Sequence, residues 1–186
     1  MFGKQMNCNS VEDRTLILRP YGKEKLPRVT EWVNNPDTTR YLGSDFGYTP
    51  EQEEKWFDKI VEAKDQCQWG IFWDGRHVGN AGLMKISSVD RNAIYGILIG
   101  ERDCWGKGIG TIVAKAIAAY SFSTLNLEHI YADVFLPNEG SKIALERAGF
   151  KECGRRPGAK FIDGAYCVNW QCYLSRSEWL QSQKEN

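Results

Sequence analysis

The chain has no long hydrophobic run, no excess of charge of one sign and no signal-like start. No apolar stretch approaches the roughly 18 uninterrupted residues of a membrane-spanning helix, and the first residues lack a charged-then-apolar pattern. The 24 basic and 24 acidic side chains cancel, so no overall field attracts nucleic acid or an anionic membrane. We therefore expect a cytoplasmic protein that binds neither nucleic acid nor membranes.

Cysteine pairs are also missing. The six cysteines are scattered without a C-x-x-C motif, and the sequence holds only two histidines. Zinc sites need closely spaced cysteine and histidine ligands, which this pattern does not offer. A chain of 186 residues, 42% of them hydrophobic, can build a core without disulfide bonds. The sequence therefore predicts one globular domain with free thiols and no metal site.

The most informative segment is 105–111, which reads W-G-K-G-I-G-T. It follows a strand-like apolar run at 94–100 and opens a pattern in which apolar residues recur every three or four positions from Ile109 to Tyr120. Glycines that lead into a helix N-terminus favour an anion, because the first N–H groups are unpaired and the helix dipole attracts negative charge. The segment therefore predicts a site for a phosphorylated ligand.

The glycine spacing does not match two common nucleotide motifs. A P-loop needs G-x-x-x-x-G-K-[ST], whereas Lys107 lies between glycines. A dinucleotide fingerprint needs G-x-G-x-x-G near the start of its domain, whereas Gly106, Gly108 and Gly110 are evenly spaced and lie past the middle of the chain. A glycine-rich turn without any ligand stays the alternative on this segment alone.

Apolar periodicity and turn residues predict strands and helices that alternate along the chain, which indicates an α/β fold. In order they are a strand at 15–19, helices at 23–34 and from Pro50, a hairpin around Asp74-Gly75, the strand at 94–100, the central helix, a strand at 129–135, a short helix at 141–148 and an edge hairpin of 150–154 with 166–174. The strands before and after the central helix should run parallel, because they form a βαβ crossover.

This order, together with several motifs, resembles the GNAT superfamily of acetyl-CoA-dependent N-acetyltransferases, and within it the RimJ/RimL branch. The matching segments are Trp32 with Asn34-Asn35-Pro36, Arg40-Tyr41-Leu42, 96–100, 105–111, Leu125-Asn126-Leu127, Asn138 with Ser141, and 146–150. The resemblance covers residues 14–180. It implies a mixed α/β GNAT fold, with a predominantly antiparallel seven-stranded sheet, a central parallel βαβ crossover and flanking helices. Residues 1–13 would be a loose N-terminal extension, and 181–186 a C-terminal tail.

The resemblance implies acetyl-CoA as the cofactor, with its pantetheine arm paired like an added strand along the splayed strand. The loop after that strand would hold the phosphates through backbone N–H groups. Trp105 takes a position where the superfamily usually has Gln or Arg, and tryptophan there is familiar in this branch. The implied cofactor residues are Ile97, Leu98, Ile99, Trp105, Gly106, Lys107, Gly108, Ile109, Gly110, Thr111, Asn138, Ser141 and Lys142. The alternatives are a solvated loop lysine for Lys107 and a helix N-cap for Asn138.

The implied reaction is attack of a neutral amine on the acetyl thioester without a covalent enzyme intermediate. Because an amine is mostly protonated at neutral pH, a proton must first be removed. Leu145 stands where many members have a tyrosine acid, and Ile94 stands where the branch often has a carboxylate. The catalytic candidates are therefore Ser141, which would protonate or hydrogen-bond the sulfur, Asn138 beside it, and Glu101 as the base. Helix capping is the alternative role of Ser141.

The acceptor is the least specified part of this resemblance. Tyr41, Asp45 and Tyr166 are the candidates for its cleft, although an aromatic side chain is more often core packing. Asp45 and Asp133 are further candidates for the base. The acceptor would be a primary amine of a protein N-terminus or of a small molecule, and a homodimer is expected by analogy. An acetyl-CoA-binding sensor with weak catalysis, or an interaction module on the same scaffold, is the alternative.

Overall fold

A computed structural model of the chain describes residues 1–42 and 47–184, in which eight strands form one mixed sheet. The strands are β1 (Met6–Asn7), β2 (Leu16–Arg19), β3 (Cys67–Trp73), β4 (Arg76–Ser87), β5 (Asn92–Ile99), β6 (His129–Phe135), β7 (Lys151–Ile162) and β8 (Ala165–Ser175). The helices are α1 (Leu26–Asn34), α2 (Pro36–Thr39), α3 (Pro50–Glu62), α4 (Ile109–Ser123), α5 (Glu139–Arg147) and α6 (Arg176–Lys184). The strand order is β1-β2-β3-β4-β5-β6-β8-β7, and only β5 and β6 run parallel. The mixed fold with its parallel crossover is confirmed.

The sheet has eight strands rather than the predicted seven, because the N-terminal residues join its edge. Met6 pairs with Leu18 in β2, and the backbone N–H of Gly3 donates to the carbonyl oxygen of Gln68 at 3.1 Å. Val11 is buried in the main core. These residues therefore cover the edge of the sheet, where they satisfy backbone groups that would otherwise be unpaired, instead of extending loosely from it.

Two local signals produce the predicted structure around the second helix and the first hairpin. Thr49 and Gln52 form a capping box at the start of α3, in which each side chain accepts the backbone N–H of the other. Asp74 and Gly75 join β3 to β4 with positive φ angles of 51° and 77°. Both central residues of a type I′ turn need this conformation, so the short hairpin matches its sequence signal.

Helices pack on both faces of the sheet and bury two clusters of side chains. The larger cluster includes residues of α4 and α5, and the smaller one lies under α1 and α3. Side chains alternate between these faces along β5. Tyr95, Ile97 and Ile99 pack with the larger cluster, whereas Leu98 packs with the smaller one. This alternation fixes which β5 side chains meet α5.

β5 and β6 are paired over only the first part of β5. Their Cα partners run from Asn92 with His129 to Ile94 with Tyr131. β5 then continues along β4 as far as Ile99, while β6 pairs with β8 over its full length. The two parallel strands therefore separate after Ile94. No described strand pairs with the edge of 95–99 that faces this wedge.

All six cysteines are free thiols, as the sequence predicts. Within 1–42 and 47–184, no helix combines the length and the apolar character that crossing a membrane requires. The same ranges contain no group of three or more His, Cys, Asp or Glu side chains that could hold a metal ion. The unpaired edge of β5 beside the wedge is the feature of the described fold that could receive a ligand.

Candidate active site

A cleft of about 460 Å³ lies beside the part of β5 that does not pair with β6. Its walls come from β5, the glycine segment, α5 along its length, and α2 with the residues that follow it. It brings together most of the predicted cofactor residues, which are Ile97, Leu98, Ile99, Trp105, Gly106, Gly108, Ile109, Gly110, Thr111, Asn138 and Ser141. The predicted strand edge, the predicted anion site and the start of α5 thus border one cavity.

The glycine segment makes a turn that only glycine adopts readily. Gly106 and Gly108 have φ angles of 73° and 83°, and Gly108 directly precedes the first residue of α4. A Cβ atom added at either position would meet no atom within 4 Å, so the bare backbone borders open space. The first N–H groups of α4 have no partner within the helix. This turn therefore offers backbone donors, without side-chain obstruction, to an anionic group.

Gly110 brings the two helices of the cleft close together. A Cβ atom at this position would lie 3.4 Å from the Cβ atom of Ala144 in α5 and 3.9 Å from Ile99 Cδ1. Both distances are ordinary van der Waals contacts, so the first turn of α4 lies directly beside α5 with room for little more than a methyl group between them. As a result, the turn that would bind phosphate and the first turn of α5 face the same space.

Two predicted cofactor lysines are not brought to the cleft. Lys107 directs its ammonium group to both carboxylate oxygens of Glu12, each at 3.0 Å, and lies 5.5 Å from the ring centroid of Trp73. Lys142 lies 3.8 Å from Glu146 one turn along α5. Neither side chain lines the cleft. Lys107 thus has a carboxylate partner that local spacing could not predict, and its contact with a cofactor stays a prediction.

Glu101, the predicted base, is buried behind the glycine segment and does not line the cleft. Its Oε1 atom accepts from Trp32 Nε1 at 2.9 Å and from Arg28 Nε at 2.7 Å, and its Oε2 atom accepts from Arg76. Burial alone would raise the pKa of this carboxyl, but the hydrogen bonds from Trp32, Arg28 and Arg76 hold it below its ordinary value. A carboxylate held by three donors is a weak proton acceptor. Glu101 thus joins Trp32, Arg28 and Arg76 through hydrogen bonds, and its role as a base stays a prediction.

Asn138 and Ser141 form the start of α5. Asn138 is the N-cap, and its Oδ1 atom accepts the backbone N–H of Ser141 at 3.2 Å. Ser141 is half-buried and lines the cleft. One turn later, Leu145 also lines the cleft and is buried, so α5 offers no tyrosine hydroxyl at that position. The capping role of Asn138 is thus present in the structure, and its contact with a cofactor stays a prediction.

The three predicted acceptor residues have different placements. Tyr41 lines the cleft, on the side of α2, together with Thr38. Asp45 lies outside the described residues. Tyr166 is 74% exposed near the turn of the β7–β8 hairpin, where its ring stacks edge-on with Phe161 at 5.1 Å. Tyr166 does not line the cleft, because the long hairpin carries it away from β5.

Two buried hydroxyl groups of the cleft do not appear among the predicted site residues. Tyr95 and Thr38 are among the residues that line the cleft, and their hydroxyl oxygens are buried without a hydrogen-bond partner within the described ranges. Burial raises the pKa of the Tyr95 hydroxyl, so it stays protonated at neutral pH. Tyr95 lies in an apolar strand pattern, where an aromatic residue indicates core packing. Its position beside the end of the β5–β6 pairing is the signal that distinguishes it.

Comparison with known proteins identifies the family whose sequence pattern this chain matches. A family model described as the acetyltransferase (GNAT) domain matches residues 15–151. The chain is 31% identical over 103 residues to the spermidine N(1)-acetyltransferase of Vibrio cholerae, a match that covers 55% of this chain and 59% of that protein. The chain spans about 60% of the length of the first curated relatives that it matches.

Two solved structures share the fold over most of the chain. The crystal structure of the Vibrio cholerae spermidine N-acetyltransferase with CoA and spermine has a TM-score of 0.82 at 25% identity, covering 89% of this chain and 98% of that one. Mycobacterium smegmatis RimJ in complex with CoA-disulfide also has a TM-score of 0.82, at 18% identity, covering 97% of this chain and 95% of that one. The second likeness concerns the fold alone.

Proposed function

This chain belongs to the GNAT acetyltransferase family, and we propose that it transfers the acetyl group of acetyl-CoA to the nitrogen of a primary amine. The observation that carries the proposal is the cleft in which the free edge of 95–99, the glycine turn and the start of α5 meet. The amides of a pantetheine arm can pair with a free strand edge, and a diphosphate suits the N–H groups at the start of α4. The residues present therefore fit acetyl-CoA, the cofactor of this family.

Acetyl-CoA supplies the acetyl group as a thioester, and the chain would act by orientation and hydrogen bonding. β5 and the glycine turn would fix the cofactor, while the acceptor nitrogen would approach from the side of Thr38 and Tyr41. Cys104 lines the cleft, but burial raises the pKa of its thiol to about 11. A protonated thiol is a poor nucleophile, which favours direct transfer over an acetylated cysteine.

The acceptor class follows from the scarcity of bases in the described part of the cleft. Among its described lining residues Asp37 is the one carboxylate, and it is exposed and paired with Arg102. A site of this kind favours an acceptor that is already partly neutral. At neutral pH an α-amine with a pKa of about 8 is roughly one-tenth neutral, whereas a lysine-like amine with a pKa of about 10.4 is less than about one-thousandth neutral. We therefore propose an α-amine, of a peptide N-terminus or a small molecule, as the acceptor.

The charge of the cleft also argues against a polyamine as the acceptor. A polyamine is the substrate class that the name of the Vibrio cholerae relative suggests. A polycation would need several carboxylates in the cleft, and Arg147 adds a positive charge to the described lining. The single carboxylate, Asp37, already has a cationic partner. The described residues thus offer little attraction to a polycation.

The test is release of CoA thiol from acetyl-CoA with a panel of amines, together with calorimetric binding of acetyl-CoA. The panel contains N-terminal peptides, free amino acids, amino sugars and polyamines. Turnover with α-amines supports the proposal in full, whereas turnover with polyamines alone overturns the acceptor class and keeps acetyl transfer. Binding without turnover on any amine favours the sensor alternative. No binding of acetyl-CoA overturns the cofactor site.

A further inference from the structure

Glu12 is held beside the glycine turn by a segment that the family resemblance does not cover. Glu12 and Asp13 form a tight turn, with φ angles of 50° and 58° as in a type I′ turn. The residues on either side, Val11 and Arg14, exchange backbone hydrogen bonds of 3.0 and 2.9 Å. Val11 is buried in the main core, and its carbonyl oxygen accepts from Trp73 Nε1 at 3.2 Å. This short turn therefore fixes the place of the Glu12 carboxylate.

Lys107 is the partner of that carboxylate and also the middle residue of the glycine turn. Its ammonium nitrogen lies 3.0 Å from each carboxylate oxygen of Glu12, and neither side chain lines the cleft. Its two neighbours, Gly106 and Gly108, do line the cleft and border open space. Lysine has a flexible four-carbon stem, so the ammonium group can swing to the cleft side of the same turn. Close contact with an anion in the cleft then requires Lys107 to leave Glu12.

The ion pair of Glu12 and Lys107 is weak enough to be exchanged for another one. The two side chains are 51% and 31% exposed, and ion pairs that are open to solvent contribute little to stability. The ring of Trp73, whose centroid is 5.5 Å from the ammonium nitrogen, adds a modest attraction on the same side. A diphosphate carries more negative charge than a carboxylate and accepts charge-assisted hydrogen bonds from lysine. A diphosphate at the turn can therefore draw Lys107 away.

We propose that Glu12 competes with the cofactor diphosphate for the ammonium group of Lys107, and that it thereby lowers the affinity of the chain for acetyl-CoA. The inference rests on the acetyl-CoA site of the proposed function. In the free protein Lys107 is paired with Glu12. When the diphosphate binds to the N–H groups of the glycine turn, Lys107 moves to a phosphate oxygen and Glu12 stays behind in solvent. Loss of the first ion pair offsets part of the free energy gained from the second.

This competition acts equally on the substrate and on the product. Acetyl-CoA and CoA carry the same diphosphate, so Glu12 weakens the binding of both. The product CoA must leave before the next turnover, and weaker binding of its phosphates favours that step. Glu12 thus sets the cofactor affinity from outside residues 15–151, the part of the chain that the family model matches.

The first test compares Glu12→Gln with Asp13→Asn by calorimetric titration with acetyl-CoA and with CoA. Each variant removes one negative charge from an exposed position of the same turn, but Glu12 is the one of the two described side chains that is paired with Lys107. Without Glu12, Lys107 reaches the diphosphate at no cost of a partner. We therefore expect Kd to fall about 2- to 5-fold for both ligands in Glu12→Gln, and by less than about 1.5-fold in Asp13→Asn.

Two results of this comparison would overturn the competition. Equal changes of Kd in the two variants would show that only the general negative charge of the turn acts on the cofactor. A rise of Kd in Glu12→Gln would show that the ion pair anchors the glycine turn in its binding conformation instead.

A second test removes the shared partner. In a Lys107→Met background, Glu12→Gln should tighten binding no more than Asp13→Asn does, because there is no ammonium group to release. The full gain in that background would overturn the exchange. With Lys107 present, 3′-dephospho-CoA keeps the diphosphate and should show the same gain as CoA, and absence of that gain would overturn the diphosphate as the competing group.

The wild type separates this inference from the proposed function. If the wild type binds neither acetyl-CoA nor CoA, the proposed cofactor site itself is overturned. If it binds both and Glu12→Gln has the same Kd, the competition alone is overturned, and the proposed acetyl transfer stands.

Discussion

The indole N–H of Trp105 donates to the carbonyl oxygen of Ile99 at 2.8 Å, and so joins the start of the glycine turn to the end of β5. Trp105 takes the position where the superfamily usually has Gln or Arg. Its ring is 41% exposed and also lines the cleft. In this chain the residue therefore holds the turn by a hydrogen bond to the strand.

Replacement of Trp105 by phenylalanine should weaken acetyl-CoA binding moderately. The variant keeps an aromatic ring and loses one hydrogen bond, which is worth about 0.5–1.5 kcal/mol, so we expect Kd to rise about 2- to 10-fold. Calorimetry measures this change. Trp56→Phe is the control, because Trp56 is 42% exposed on α3 and does not line the cleft. An unchanged Kd in Trp105→Phe would show that the hydrogen bond does not hold the binding turn.

Replacement of Gly108 by valine should abolish measurable acetyl-CoA binding and leave most of the fold intact. The φ angle of 83° disfavours any side chain, and the added Cβ atom would project into the open space of the proposed phosphate site. Gly164→Val is the matched control, because Gly164 has the same φ of 83° and the same open surroundings in the β7–β8 turn. Equal losses of affinity in the two variants would mean that backbone strain, rather than the phosphate site, is responsible.

Ser141→Ala and Asn138→Ala should separate chemistry from helix capping. The hydrogen bond from Ser141 to Asn138 uses the backbone N–H of Ser141, so alanine at 141 keeps the cap. We expect Ser141→Ala to lower kcat about 10-fold at unchanged stability. Asn138→Ala should lower the free energy of unfolding by about 1 kcal/mol through loss of the cap. Steady-state kinetics and denaturant unfolding provide both readouts, and a stability loss confined to Ser141→Ala would contradict this division.

Glu101→Gln should weaken the fold and reduce its sensitivity to acid. The carboxylate accepts from Arg28 and Arg76, whose side chains are about half exposed, so we expect a loss of roughly 1–3 kcal/mol at neutral pH. Because the folded-state pKa is depressed, this stabilisation is present above the ordinary value of 4.5 and is lost as pH falls through the lower folded pKa.

Melting temperatures of the wild type and of Glu101→Gln at a series of pH values measure that effect. The difference between the two proteins should be largest near neutrality and should shrink below pH 4.5. A constant difference across the series would contradict the depressed pKa. If Glu101 were instead the catalytic base, the variant would lose kcat at unchanged stability.

Elements set by neighbouring residues could be predicted from the sequence, whereas elements set by distant contacts could not. The start of the second helix at Pro50 and the turn at Asp74 depend on residues close in the chain, and both formed as predicted. The pairing of Met6 with Leu18 depends on an edge of the sheet that local patterning does not reveal. β7 also extends past Pro157, because an edge strand with an irregular register tolerates proline.

The predictions for the site also succeeded where residues are close in the chain and failed where contacts are distant. The glycine turn was predictable because strand, turn and helix are consecutive in the chain. The partner of Lys107 was not, because Glu12 is 95 residues away. Tyr166 illustrates a further difficulty, since its distance from the cleft follows from the length of the β7–β8 hairpin. Tyr95 was hidden by its apolar surroundings, and only the end of the β5–β6 pairing distinguishes it.

Gly110 also determines the width of the cleft. α5 lies beside the first turn of α4, with Ala144 opposite Gly110, and a Cβ atom at 110 would be in ordinary van der Waals contact with it. A side chain longer than that of alanine would extend past this contact towards α5, and would act as a spacer between Ser141 and the glycine turn. The distance between the glycine turn and the start of α5 thus depends on a single helix–helix contact, which has room for a methyl group at position 110 and for little more.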